Sequence, residues 1–245
     1  MMGRSAIAGV VLAAAVAADA LAGDYAALQP IGFSSDGNVF AFEEYGVQDG
    51  SGFPYSTIYV LDTRTDSFLP GAPVRAVVEE DGGGLHRARS EARGRAAPLI
   101  DAHRLAETPG ILVAYNPITE AGAAPHVLRY DAFPADAPFR KTYTLKLEEK
   151  SFEPEGICKD FLKEVKGFRL TMTEKANKPA ADVLQDDLRI PQSRRCPMGY
   201  RIGGVVTRIN DHGSEVHVAM ILVKSLGFEG SRDGRWIAVP IRIRG

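Results

Sequence analysis

Alternation of apolar and polar residues between tight-turn sequences is the feature that most restricts the fold of this chain. Asp36-Gly37 separates the apolar stretches 31–33 and 39–42, and this dipeptide is typical of a β-hairpin turn. Strict alternation over 142–147 and 168–173 places one side of each strand in the core and the other in water. These patterns predict a mainly β protein with an antiparallel sheet or sandwich.

A second Asp-Gly dipeptide gives the chain a weak internal repeat. Asp233-Gly234 follows Gly227-Phe228 much as Asp36-Gly37 follows Gly32-Phe33, which predicts a second, similar hairpin. Such hairpins resemble those of periplasmic β-propellers. A propeller requires at least four blades of about four strands, whereas only about ten or eleven segments are strand-like here. A twisted sheet or sandwich is therefore favoured.

Residues 85–107 differ in composition and predict an Ala/Arg-rich helical insertion. Alanine and arginine dominate, and Ile100 is the one β-branched residue before Ala106. Gly94 and Pro98 favour two short helical pieces over one long helix. An apolar stripe at spacings of three and four should pack on the sheet; it comprises Leu85, Ala88, Ala92, Ala96, Leu99 and Ala102. The arginines are expected on a solvated face, with docking on an anionic lipid, a glycan or an acidic partner as the alternative.

The N-terminus predicts export, with residues 1–22 as a signal peptide. Arg4 precedes an apolar run over 6–18, and Ala20 and Ala22 supply the small side chains that signal peptidase requires before its cut. The run is too short to cross a hydrocarbon core of about 30 Å. We expect a secreted or periplasmic chain that does not span the membrane after cleavage, with residues 23–245 forming a single mainly β domain.

The cysteine count, the net charge and the motifs of the chain bear on which bonds, ligands and reactions are compatible with it. Cys158 and Cys196 are predicted to form a disulfide because the compartment is oxidising, although two reduced core thiols are the alternative. A formal net charge of −2 argues against nucleic-acid binding. Zinc-protease and serine-hydrolase motifs are missing from the sequence. His212 and His217 flank a turn and are expected at the surface.

Candidate sites cluster around the glycine-rich segment 46–55. Asp36, Glu43 and Asp49 could supply oxygen ligands to Ca²⁺, but their spacing does not match an EF-hand, and solvated turn carboxylates are the alternative. A second hypothesis is a binding patch, and its aromatic residues are Tyr45, Phe53 and Tyr55. Packing of these residues within the turn is the alternative.

A catalytic carboxylate pair is a further hypothesis. Glu43 or Glu44 could act with Glu153 or Glu155, as in glycoside hydrolases. Because adjacent strand residues point to opposite faces, at most one of Glu43 and Glu44 can face such a site.

Several motifs resemble a known family. The stretches 32–59, 166–171, 196–202 and 227–230 are similar to a bacterial family of predicted secreted proteins, domain of unknown function 2259. The resemblance covers nearly the whole mature chain. It implies export, a bacterial source and a family-wide domain, and it supplies no catalytic residues.

Together these features predict an exported envelope protein that binds or interacts without catalysis. Its partner would be an envelope protein, a glycan or a small ligand. The alternative is a secreted hydrolase that acts on cell-wall or carbohydrate substrates.

Overall fold

The computed structural model describes residues 23–79, 83–209 and 213–243. Strands account for 51% of these described residues and helices for 15%, which confirms the predicted mainly β class. The predicted signal peptide, residues 1–22, lies outside the described residues. Within the ranges given above, no helix has the length and apolar character needed to cross a membrane.

In the described part of the chain, five strands precede one long helix and eight strands follow it. The first set comprises β1 (Ala27–Phe33), β2 (Val39–Val47), β3 (Pro54–Asp62), β4 (Ser67–Phe68), β5 (Val74–Val77) and α1 (Gly84–Ala102). The second set comprises β6 (Ile111–Tyr115), β7 (Val127–Asp131), β8 (Thr142–Phe152), β9 (Val165–Lys175), β10 (Lys178–Asp186), β11 (Pro197–Ile209), β12 (Glu215–Leu226) and β13 (Arg232–Arg242).

The strands form three antiparallel sheets. The N-terminal sheet has the order β1-β2-β3-β4, and β5 also pairs with β3. The central sheet has the order β13-β12-β11-β6, and the outer sheet has the order β10-β9-β8-β7. Thus β6 and β7 each lie at one edge of their sheet.

The central sheet is buried on both faces. Val218 and Met220 of β12 pack with Phe42 in the core beneath the N-terminal sheet. Their neighbours Ala219 and Ile221 pack instead in the core shared with the outer sheet. Since successive strand residues point to opposite faces, the three sheets are stacked with the central sheet in the middle. A nearly continuous apolar sequence is typical of a strand covered on both sides.

Helix α1 covers the free face of the N-terminal sheet. Ala88, Ala92 and Ala96 are fully buried, which confirms the predicted stripe at these positions. The helix runs unbroken through Gly94 and Pro98, so the prediction of two short pieces is wrong. Pro98 has no N–H for the Gly94 carbonyl, but both residues lie on the exposed side, where water can bond that carbonyl.

The two Asp-Gly dipeptides have different structures. Asp36-Gly37 forms the turn between β1 and β2, as predicted. Asp233-Gly234 lies within β13, so the predicted second hairpin turn at this dipeptide is wrong. The Asp24 amide donates to the Asp233 carboxylate at 3.3 Å, and the Gly234 amide donates to the Asp24 carbonyl at 2.9 Å. These contacts with the start of the described chain hold β13 extended.

The predicted disulfide is confirmed. Cys158 and Cys196 are bonded, with their Cα atoms 5.5 Å apart, and they pack with Val165 and Leu226. The bond joins the 3₁₀ turn Gly156–Asp160 to the segment that enters β11.

Candidate functional site

A cleft opens where the edges of the central and outer sheets meet. Its volume is about 540 Å³, and we call it the edge cleft. Apolar side chains from β6 and from the segment after β7 form much of its wall; they are Ile111, Leu112, Val113, Phe133, Pro134 and Ala135. Arg129, Tyr130, Asp131 and Thr142 complete the lining.

The charged residues of the edge cleft are already paired. Arg129 forms an ion pair with Glu174 at 3.0 Å. Asp131 accepts a hydrogen bond from the Thr142 hydroxyl at 2.6 Å and lies 3.4 Å from the Arg140 guanidinium. The lining therefore combines a majority of apolar side chains with neutralised charges, and polar atoms supply the larger part of its exposed surface.

A buried polar cluster lies next to Tyr130 of the cleft. The Tyr130 hydroxyl is 2.9 Å from Nδ1 of His217, and the Nε2 atom of His217 is 3.6 Å from Oε2 of Glu215. The Tyr143 hydroxyl donates to Glu215 at 2.7 Å, and Lys141 forms an ion pair with the same carboxylate. Because Glu215 faces Nε2, a neutral imidazole keeps its proton there and accepts the Tyr130 O–H at Nδ1.

The environment fixes the charges of this cluster. Burial lowers the pKa of His217, and the Glu215 carboxylate offsets this effect only in part, so the imidazole is neutral. His217, Lys141 and Tyr143 hold the pKa of Glu215 at about 2, although burial acts in the opposite direction. Burial raises the pKa of Tyr130 well above its usual value, so its hydroxyl keeps the proton.

His217 is fully buried, so the prediction that it lies at the surface is wrong. Its side chain points from β12 into the core beneath the outer sheet, where Tyr130 and Tyr143 contact its ring edge-on. Its position between Val216 and Val218 was a usable indication of burial. His212, the other predicted surface histidine, lies outside the described residues.

The three predicted aromatic residues do not form one patch. Tyr45 faces α1, where the Arg89 guanidinium lies 3.7 Å from the ring centroid. Tyr55 lies on the opposite face of the N-terminal sheet, is buried, and donates its hydroxyl to Asp24 at 2.8 Å. Phe53 is partly buried and lies immediately before β3. Strand alternation separates Tyr45 from Tyr55, since Tyr45 pairs with Ser56.

The adjacent Glu43 and Glu44 point in opposite directions, as predicted. Glu43 faces α1 and accepts hydrogen bonds from Arg89, Arg93 and Ser56. Burial alone would raise its pKa, but these bonds outweigh burial and lower the pKa. Glu44 lies in the opposite core, where burial raises its pKa despite hydrogen bonds from Trp236 and Tyr59. Neither carboxylate lines the edge cleft.

The three carboxylates proposed for Ca²⁺ lie apart. Asp36 is in the turn before β2 and accepts hydrogen bonds from Ser34 and Asn38. Asp49 is exposed in the turn after β2, so the nine-residue strand, about 30 Å long, separates the two. Glu43 between them is bound by arginines. Among the described residues, no three His, Cys, Asp or Glu side chains are grouped to hold a metal ion.

Sequence reasoning missed the edge cleft because β6 and the segment after β7 meet only through the packing of two sheets. One local indication in the sequence was the uncharged segment 111–115. In the structure, its residues Ile111, Leu112 and Tyr115 are exposed.

The stacked sheets and the edge cleft define a mainly β scaffold with a lateral groove between two sheet edges. The chain belongs to the family described as predicted secreted protein, domain of unknown function 2259, whose model matches residues 41–242. That match extends through β13 and includes the edge cleft, and the protein is accordingly a secreted one. Neither a curated protein nor a solved structure matches the chain significantly.

Proposed function

We propose that this protein is an exported binding protein that holds a ligand in the edge cleft and acts without catalysis. The observation that carries the proposal is the composition of the cleft. Its volume of about 540 Å³ suits a ligand site, and apolar side chains form much of its wall. Arg129 and Asp131 at its rim are engaged with protein partners. Apolar side chains, exposed polar atoms and charges that are already paired favour binding over a reaction that needs free acids and bases.

A dye titration tests this proposal. Anilinonaphthalene sulfonate gains fluorescence when it enters an apolar site, so we expect it to bind the secreted chain at the edge cleft. Leu112→Glu places a charge in the cleft wall and should weaken this binding roughly tenfold.

Val183→Glu is the matched control. Val183 lies on β10 at the far edge of the outer sheet and is 53% exposed, compared with 43% for Leu112. The proposal expects this variant to bind the dye like the wild type. Equal binding by wild type and both variants would show that the cleft is not the apolar site.

A secreted hydrolase acting on cell-wall or carbohydrate substrates is the second candidate. The chain from the Tyr130 hydroxyl through His217 to Glu215 favours it, because a hydroxyl, an imidazole and a carboxylate follow one another beside a cleft. The raised pKa of Tyr130 weighs against this candidate. Cleavage of peptidoglycan fragments or oligosaccharides by the wild type, lost in His217→Gln, would establish the hydrolase and overturn the non-catalytic proposal.

A further inference from the structure

The edge strands of the three sheets differ in how they are shielded. Proteins commonly protect such edges with charged residues, proline or very short strands, because an open edge can pair with another strand. Most edges here follow that rule: β1 contains Pro30, β4 has two residues, β5 contains Arg75, β7 contains Arg129 and Asp131, β10 contains Lys178 and Pro179, and β13 contains Pro240.

Strand β6 is the exception among the described strands. It has neither a charged residue nor a proline, and Ile111, Leu112 and Tyr115 are 46%, 43% and 55% exposed. A bulge at Val113 is its one irregularity, and Val113 lies in the wall of the edge cleft. The strand edge beside the groove therefore has this bulge as its one protective feature and carries neither a charge nor a proline.

The backbone of β6 has hydrogen-bonding groups directed away from β11. The Asn116 amide donates to the Gly203 carbonyl at 2.7 Å, so the N–H of Asn116 faces β11. Residues along an antiparallel strand direct their backbone N–H and C=O groups alternately towards the partner strand and away from it. Tyr115, which is opposite Gly204, is therefore at a non-hydrogen-bonded position. The N–H and C=O groups of Tyr115 consequently point outward from the sheet.

We propose that the ligand of the edge cleft is an extended polypeptide segment that adds to β6 as a fifth strand of the central sheet. This inference rests on the proposed function and names its ligand class. Backbone hydrogen bonds to the outer side of β6 would hold the segment, and alternate apolar side chains would enter the cleft beside Leu112 and Phe133.

The size of the edge favours a short segment over a second copy of the chain. Five residues of β6 span about 17 Å, whereas a stable protein–protein interface buries roughly 1,200 to 2,000 Å². Pairing of two β6 strands alone would fall short of that area. A segment beside β6 gains additional contact inside the cleft, which a second flat edge would leave empty.

Two substitutions at Tyr115 test the inference. Random twelve-residue peptides displayed on phage are selected on the secreted chain with its disulfide intact, and the enriched peptides are synthesised. Tyr115→Pro removes an outward N–H and should leave the pairing with β11 intact. Tyr115→Thr is the matched control, since it removes the ring and keeps the N–H.

We expect enriched peptides with alternating apolar residues that bind the wild type and Tyr115→Thr similarly and Tyr115→Pro roughly tenfold more weakly. N-methylation of the alternate peptide residues whose N–H groups face β6 should also weaken binding, and this measurement stands even where Tyr115→Pro disturbs the fold. Equal binding by all three proteins and by the methylated peptides would overturn strand addition. Loss of that binding in Leu112→Glu would then still support the cleft as a binding site.

Two other results would also overturn the inference. One is a selection that enriches no peptide. The other is a wild-type dimer, seen by sedimentation, that Tyr115→Pro converts to a monomer, because the occupant of β6 would then be a second copy.

Discussion

Glu43, Glu44 and Glu215 are all buried, but the groups that surround their carboxylates differ. Two arginines bind Glu43 and lower its pKa, whereas Glu44 accepts hydrogen bonds from Trp236 and Tyr59 and burial raises its pKa. His217 and the other neighbours of Glu215 hold the pKa of its carboxyl group at about 2. The charge of each residue is thus set by contacts that depend on the face of the strand it occupies.

At the residue scale, the lowered pKa values of His217 and Glu215 predict that the protein is less stable in acid. Both groups have lowered pKa values in the folded state, so the unfolded state binds more protons as the pH falls. The free energy of unfolding should therefore decline below about pH 6.5 through His217, and by roughly 3 kcal/mol more from about pH 5 towards pH 2 through Glu215. Urea unfolding across this range measures both effects.

The control for this prediction is a pair of matched substitutions. His217→Gln should flatten the decline just below about pH 6.5, whereas His86→Gln, at an exposed position of α1, should leave it unchanged. An identical pH dependence in both variants would contradict the role assigned to His217.

At the scale of single elements, the attachment of α1 depends on Glu43 as well as on the alanine stripe. Glu43→Gln leaves Arg89 and Arg93 without their buried counter-charge, so we expect a loss of about 2 to 3 kcal/mol in the free energy of unfolding. Glu91→Gln removes only solvent-exposed pairs on the same helix and should cost less than about 1 kcal/mol. Urea denaturation compares the two, and equal losses would contradict this account.

The disulfide makes a second prediction at this scale. Replacing Cys158 and Cys196 together with serine should lower the free energy of unfolding by about 4 kcal/mol, because a 38-residue separation is no longer closed in the unfolded chain. Reduction of the wild type should produce a similar loss. A thermal midpoint unchanged by either treatment would contradict a stabilising role for the bond.

At the scale of the whole molecule, local patterns predicted elements better than sites. Alternation over 142–147 and 168–173 predicted β8 and β9, since one face of each lies outside the core. The segments of β5 and β10 lack a strong apolar pattern and were not predicted as strands. Tyr45 and Tyr55 are close in sequence but lie on opposite faces of one sheet, so proximity along the chain did not predict proximity in the fold.

Hydrogen exchange at two neighbouring amides of β6 tests the central claim most directly. In the free chain, the Ala114 amide should be protected by pairing with β11, while the outward Tyr115 amide should exchange rapidly. Saturation with a peptide selected on the wild type should protect Tyr115 and leave Ala114 as it was. Rapid exchange at Tyr115 that persists under saturation, with new protection in another sheet, would contradict ligand binding at the β6 edge.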